Sequence, residues 1–215
     1  MARYLRMERC QRCGSSDANA QYDDGSTYCF SCRAYTPPTG RVTIQPKASS
    51  TGIGRYSYTL PQEATSWLKK YGLTNEETSA YVWSDYYDLC YPLGSGSFVC
   101  RGFGKKWKYL IRGEKHYPVF HQGEGRIVLT EDVVSAIKVS RVVTAMPLLG
   151  CITNQEHIDI AKQYGSIILW LDPNKRKEAI QQVLRWRQQG VDITPIFSEV
   201  DPKELTTKLI QEKLR

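Results

Sequence analysis

No stretch of this 215-residue sequence approaches the ~20 consecutive apolar residues that cross a bilayer, and runs such as Ile167 to Leu171 stop far short. A membrane-spanning helix is therefore excluded. The opening Met-Ala-Arg-Tyr-Leu-Arg-Met-Glu-Arg is charged throughout and lacks the apolar centre of a secretory signal, which predicts an intracellular, reducing setting. The phosphate-cradling pattern Gly-x-x-x-x-Gly-Lys-Ser/Thr is missing everywhere, so no P-loop ATPase or helicase motor is encoded. Histidine is scarce: His116, His121 and His157 have no ligand spacing and are assigned no chemical part. At ~150 residues per domain, the chain has room for one large domain or two to three small ones.

Basic charge is in excess. Twenty-nine Lys and Arg against 22 Asp and Glu give +7, a balance that suits a polyanionic partner only where the cations cluster. A hydrophobic share of 41% allows most of the chain to bury a core. Of seven cysteines, Cys90, Cys100 and Cys151 stand alone and read as small buried apolar groups. The other four form two Cys-x-x-Cys pairs, Cys10/Cys13 and Cys29/Cys32, separated by fifteen residues.

In a reducing compartment that spacing predicts zinc. Four thiolates complete a tetrahedral shell and leave no open position for water, so the metal is expected to be structural. Gly14 can supply the positive φ that such a tight turn needs. The residues from Gln21 to Tyr28 read as a hairpin with a type I′ turn at Asp24-Gly25, which brings the second pair back onto the first. The expectation is a zinc ribbon over 1–36. Arg3, Arg6, Arg9, Arg12 and Arg33 surround Tyr22, Tyr28, Phe30 and Tyr35, which either meet phosphates and bases or fill a small core.

Residues 37–56, rich in Pro, Gly, Ser and Thr, read as a flexible linker. Over 57–125, helical spacing at Ala64, Trp67, Leu68 and Tyr71 ends at Gly72. A second short helix follows with Thr74 to Glu77 as its cap, then strands over Tyr86 to Pro92 and Ser97 to Cys100. The segment Arg101 to Lys115 carries six cations and one acid, with Phe103, Trp107 and Tyr109 between them. Arg101, Lys105, Lys106, Trp107, Lys108, Tyr109 and Arg112 are the candidate contacts to a nucleic-acid backbone or triphosphates. The alternative is a solvated hairpin whose rings face the core.

From Arg126 onward strands and helices alternate: Ile127 to Thr130, helix to Arg141, strand Val142 to Leu149, helix to Tyr164, strand Ser166 to Leu171, a basic helix to Gln189, strand Val191 to Phe197, and a closing helix Lys203 to Leu214. Alternation predicts an α/β fold, a mostly parallel sheet with helices on both faces. Function in such sheets sits at the carboxyl ends of the strands. There stand Glu131, Asp172 and Asp201, whose natural complement is Mg²⁺ or Mn²⁺. Asp132 and Asp201 also read as plain helix caps.

Cys10-Gln-Arg-Cys-Gly-Ser-Ser-Asp-Ala-Asn with Asp24-Gly25 and Tyr28-Cys-Phe-Ser-Cys32, Ile127-Val-Leu-Thr-Glu-Asp-Val-Val-Ser-Ala-Ile, Ile168-Leu-Trp-Leu-Asp-Pro-Asn, and Asp201-Pro-Lys-Glu204 together resemble the zinc-ribbon plus Toprim primases of tailed bacteriophages, relatives of bacterial replicative primase. The resemblance covers nearly the whole chain. It implies a DNA primase that makes short RNA primers on single-stranded DNA in the cytoplasm of a bacterial host, taking ribonucleoside triphosphates and meeting its helicase as a separate protein. It further implies a ribbon, with Asp24 and Tyr28, that selects the template site, residues 57–125 as the basic first part of the RNA polymerase domain, and residues 126–215 as a Toprim domain. Glu131 and Asp172 would hold the catalytic metal, with Asp132, Asn174 and Asp201 beside them.

The chain departs from the family pattern at three places. Asn174 stands where an acid usually completes Asp-x-Asp, Ser135 where many relatives carry an acid, and Ser26 where a histidine occurs in primase-helicases. A non-catalytic single-strand binder on the same architecture is the alternative reading.

Overall fold

The computed structural model describes residues 2–38, 52–120, 123 and 125–215. The chain divides into two compact units, 1–49 and 50–215. The first is a four-stranded antiparallel sheet in chain order: β1 (Tyr4–Glu8), β2 (Asn19–Tyr22), β3 (Thr27–Cys29) and β4 (Tyr35–Thr36). Its central hairpin is not the expected two-residue turn. Tyr22 N–H donates to Ser26 O (2.9 Å) and Gly25 N–H to Tyr22 O (3.0 Å). Gly25 alone in this loop takes positive φ, at 82°. Asp23, Asp24 and Gly25 thus form a three-residue loop closed by a left-handed glycine, because Asp24 stays on the ordinary side of φ where a type I′ turn would need it positive.

The second unit opens on a five-stranded antiparallel sheet, β5 (Tyr56–Ser57), β6 (Val82–Ser84), β7 (Asp88–Gly94), β8 (Ser97–Gly102) and β9 (Tyr109–Arg112), again in chain order. Helices α1 (Gln62–Lys70) and α2 (Asn75–Thr78) lie between β5 and β6. The expected linker falls largely on residues outside those described, but its last part does not. Ile53 is buried with Val82, Cys90 and Cys100, and Tyr56–Ser57 pairs with β6. The strand expected from Tyr86 begins at Asp88, since Tyr86 and Tyr87 belong to the turn and Tyr87 takes φ 58°. Side chains on β7 and β8 alternate as a pleat requires. Leu89, Tyr91 and Val99 join Ala64 and Leu68 in one core, while Cys90 and Cys100 turn to the other. Cys90 and Cys100 are fully buried in this second core, as expected, but do not stand alone: they are direct cross-strand partners and form a disulfide. Ten residues apart in sequence, they were brought opposite by the hairpin register.

The remaining strands, β10 (Ile127–Thr130), β11 (Thr144–Pro147), β12 (Ile167–Trp170) and β13 (Ile193–Pro195), form a parallel sheet ordered β11-β10-β12-β13. Helices α3 (Val133–Ser140), α4 (Gln155–Ala161), α5 (Arg176–Arg187) and α6 (Thr207–Lys213) complete it. Ile127, Leu129, Ile167 and Leu169 pack toward α4 and α5, whereas Val128, Ile168 and Trp170 pack toward α3 and α6. Both faces are covered, as continuous apolar strands demand. The closing helix starts at Thr207, not Lys203, because the Thr206 hydroxyl accepts the Leu209 N–H as its cap and residues 202–204 form a separate 3-10 turn.

Helix α3 also joins the two sheets, since Val133, Val134 and Ile137 enter the core of Ala64, Leu68 and Leu89. Arg141 at its end locks this joint. Its guanidinium donates to both Glu77 oxygens (2.7 and 2.6 Å) and to Gly72 O (2.9 Å), while Glu77 Oε2 also accepts the Thr74 N–H (2.7 Å). Arg141→Ala strands a half-buried carboxylate and is expected to cost about 1–3 kcal/mol in urea unfolding. A loss below about 0.5 kcal/mol would mark the pair as an ordinary surface bridge.

Candidate functional site

In the ribbon, the two Cys-x-x-Cys turns have the same build. Gly14 N–H donates to Cys10 O (2.9 Å) and Arg33 N–H to Cys29 O (2.8 Å). Gly14 and Arg33 both take positive φ, at 73° and 60°. The four sulfurs lie within 4.8 Å of one another, with Cys10 to Cys32 at 3.8 Å and Cys13 to Cys29 at 3.7 Å. Four thiolates about 2.3 Å from one ion must sit about 3.8 Å apart in a tetrahedron, so the donor set fits zinc. The Cys13 and Arg12 N–H groups lower the Cys10 thiol to about 6, while, against the pull of the Ala34 N–H, burial and the neighbouring sulfurs push Cys32 up to about 11, so the metal-free cluster gives up its protons unevenly. Near this site, the Asp24 carboxylate accepts the Ser26 N–H (2.9 Å), and the Ser26 hydroxyl and N–H together hold it below the usual range. Tyr28 is half-buried and meets Phe30 edge-on at 5.1 Å. Phe30, Tyr35 and Tyr4 are exposed, so the ribbon's rings are not consumed by its core.

The second site lies at the carboxyl ends of β10 and β12. The chain leaves β10 for β11 on one side and returns to β12 on the other, so these neighbours flank the point where strand order reverses. Glu131 follows β10, and Asp172 follows β12 by two residues. Both line one cavity of about 380 Å³. Glu131 Oε2 and Asp172 Oδ1 are buried and have no hydrogen-bond partner among the described residues. Burial raises the Glu131 carboxyl, with the Asp132 charge adding to it. Asp172 is pushed up to about 7 by burial, against the pull of Lys203 and with help from Glu131, Asp201 and Asp132.

Lys203 sits among these acids. Its Nζ is 2.7 Å from Asp201, 2.9 Å from Asp132 and 3.7 Å from Asp172, and its side chain is only 5% exposed. Burial disfavours its charge, but the carboxylates outweigh burial and hold it well above the ordinary lysine range. Asp132 caps α3: Oδ1 accepts the Ser135 N–H (2.9 Å) and Oδ2 the Ser135 hydroxyl (3.2 Å). Asp201 makes no cap bond and faces Lys203 instead. Asn174 is exposed on the turn after Asp172 and does not line the cavity.

The antiparallel sheet supplies the opposite wall. Arg101 lies over Trp67 (4.5 Å), Phe103 (5.4 Å) and Tyr109 (5.4 Å), and its Nε and Nη1 are buried without hydrogen-bond partners among the described residues. Tyr109, Lys108 and Lys115 also line the cavity. Lys105, Lys106, Trp107 and Arg112 do not. Lys105 and Arg112 pair with the fully buried Asp88, Trp107 packs beside Cys90 and Cys100, and Lys106 is exposed. At the rim, Leu149 takes φ 54° beside Gly150, a strained non-glycine conformation of the kind that gathers at functional sites. Sequence reasoning missed Lys203, Trp67 and Tyr81, whose buried hydroxyl is also unpartnered on this cavity. Trp67 and Tyr81 carried only a helical or apolar pattern, and Lys203 stood inside the Asp201-Pro-Lys-Glu204 turn with no part assigned to it.

No protein-family model and no curated protein matches the sequence. Among solved structures, the chain is similar to the primase fragment of the bacteriophage T7 primase-helicase protein, with a TM-score of 0.50 and 18% identity over 98% of each chain. It also matches a bacteriophage T7 lagging-strand DNA polymerase interacting with primase domains bound to an RNA/DNA hybrid and dTTP, with a TM-score of 0.43 and 19% identity over 98% of this chain and 95% of that one. With its four-thiol ribbon, antiparallel sheet and helix-covered parallel sheet, this chain has a fold similar to that of the phage T7 primase fragment.

Proposed function

We propose that this chain is a primase that joins ribonucleoside triphosphates into short RNA primers on single-stranded DNA. The observation that carries the reading is the pairing of two partnerless carboxylate oxygens, on Glu131 and Asp172, with the partnerless nitrogens of Arg101 around one cavity. Buried acids without donors are costly unless a cation completes them. Mg²⁺ or Mn²⁺ fits two hard oxygens plus substrate phosphates and would supply charge stabilisation at the reacting phosphate. Arg101, Lys108 and Lys115 hold the triphosphate tail by charge, Arg101 being pre-oriented by its aromatic contacts. Tyr109, 39% exposed on the same wall, offers a face to a base. The ribbon, with exposed Phe30 and Tyr35 among arginines, contributes template selection.

The alternative, a single-strand binder without chemistry, draws on exposed Asn174 and on a lysine standing among the acids. Incorporation of labelled ribonucleotides into short oligomers, dependent on a DNA template, separates the two. Oligomers from the wild type that vanish in Glu131→Ala support the primase. Equal single-strand binding by both proteins, with no oligomers from either, supports the binder. On the primase reading, Arg101→Ala is expected to raise the ribonucleotide KM about tenfold or more, matching loss of one charged contact. An unchanged KM would remove Arg101 from the substrate site.

A further inference from the structure

The four acids at the strand ends are not equivalent once their partners are counted. Asp132 has both oxygens committed, Oδ1 to the Ser135 N–H and Oδ2 to the Ser135 hydroxyl and Lys203. Asp201 Oδ2 is taken by Lys203 at 2.7 Å. Asp172 is divided: Oδ2 faces Lys203 at 3.7 Å, while Oδ1 is buried and open. Glu131 Oε2 is likewise buried and open. Among the described residues, only two carboxylate oxygens in the cluster are therefore both buried and without a donor. Among the described residues, the four cysteines are the group that brings three or more potential ligand atoms within 4.8 Å.

We infer that Lys203 is a built-in cation that takes the place of a second divalent ion, so that the site holds a single Mg²⁺ or Mn²⁺ on Glu131 and Asp172. The inference deepens the primase reading and rests on it for the identity of the first ion. Two-metal sites place ions about 3.5–4 Å apart between shared carboxylates. Here an ammonium already stands at hydrogen-bond distance from Asp132 and Asp201 and reaches toward Asp172. A monocation in that position balances acids that would otherwise require a divalent partner, and mutual repulsion keeps a second divalent ion from entering beside it. Because Lys203 also lines the cavity, its charge faces the space open to substrate phosphates.

The test is a titration of the zinc-loaded full chain with Mn²⁺ alone, read by electron paramagnetic resonance. Lys203→Met and Lys203→Gln remove the charge, and Lys203→Arg keeps it. The expected result is one Mn²⁺ per chain for the wild type and Lys203→Arg, and two for Lys203→Met or Lys203→Gln. Two ions on the wild type would overturn the inference whether or not the variants fold. So would an uncharged variant that binds one ion more tightly but gains no second. A wild type that binds none while Lys203→Met binds one would overturn the inference, because Lys203 would then fill the site's one cation position, and would also defeat the metal-dependent primase reading, whereas two ions on the wild type would leave that reading standing. If neither form binds Mn²⁺, the inference falls.

Discussion

Glu131→Gln and Asp172→Asn are each expected to reduce primer synthesis by about a thousandfold or more while raising the melting temperature of the metal-free chain. The activity loss follows from removing one of the two open oxygens that would complete a metal, a preorganised charge contact whose deletion costs on the order of 10²–10³ or more in rate. The stability gain follows from the same burial. Each carboxylate is raised by desolvation, so the folded metal-free chain pays to keep it ionised at neutral pH. A neutral amide of the same shape removes that cost. Gains of about 1–2 kcal/mol are typical at such sites, which in a domain of this size shifts the melting temperature by about 2–8 °C.

The pH dependence has a definite sign. Asp172, raised from 3.8 to about 7, binds its proton more tightly in the folded chain than in the unfolded one. Its stabilising contribution is therefore complete below 3.8 and is lost as pH rises through about 7. The metal-free wild type should melt at progressively higher temperature as pH falls from about 8 to 6.5, and Asp172→Asn should flatten that slope. Below 6.5 a second group acts in reverse. Burial lowers His157 from 6.5 to about 4, so its protonation favours the unfolded chain and offsets the Asp172 gain between 6.5 and 4. The window above 6.5 isolates the acids. Calorimetry in chelator, with activity measured separately, checks both halves. A variant that keeps making oligomers, or that melts below the wild type, would contradict the assignment.

Cys10→Ser is expected to release the zinc and unfold the ribbon while leaving the second unit's melting transition unchanged. In the first unit the buried apolar residues, among those described, are Cys10, Ala20 and Cys29, and two of these are ligands. Such a core cannot offset the chain entropy of folding, so the metal must supply the stability, about 10–16 kcal/mol in small zinc modules. The second unit holds its own apolar cores and shares none of their residues with the ribbon. Metal analysis should fall from one zinc per chain to none. Retained zinc, or collapse of the second unit's transition, would refute this division. On the primase reading, template preference is lost with the ribbon.

Much of this architecture was legible in the chain. The cysteine spacing located the four-thiol site because zinc ligation is a local matter of turn geometry, and the two knuckles formed where the pairs stood. The strand and helix alternation after Arg126 predicted the parallel sheet because buried strands are continuously apolar and their ends are punctuated. The closing helix was misjudged by four residues because Lys203 to Leu205 has no strong breaker after Pro202, and the Thr206 cap decided the start.

By itself, then, the sequence determined the ribbon, the sheet and the acids that end its strands, all of which depend on neighbours a few residues away. Tertiary structure alone decided which cations serve those acids. Lys105 and Arg112, conspicuous in a basic run, are drawn to buried Asp88, whereas Lys203, given no part within its Asp201-Pro-Lys-Glu204 turn, enters the acid cluster. The reason is physical: a buried carboxylate must be matched by a cation, and which cation reaches it is set only when distant segments have folded together.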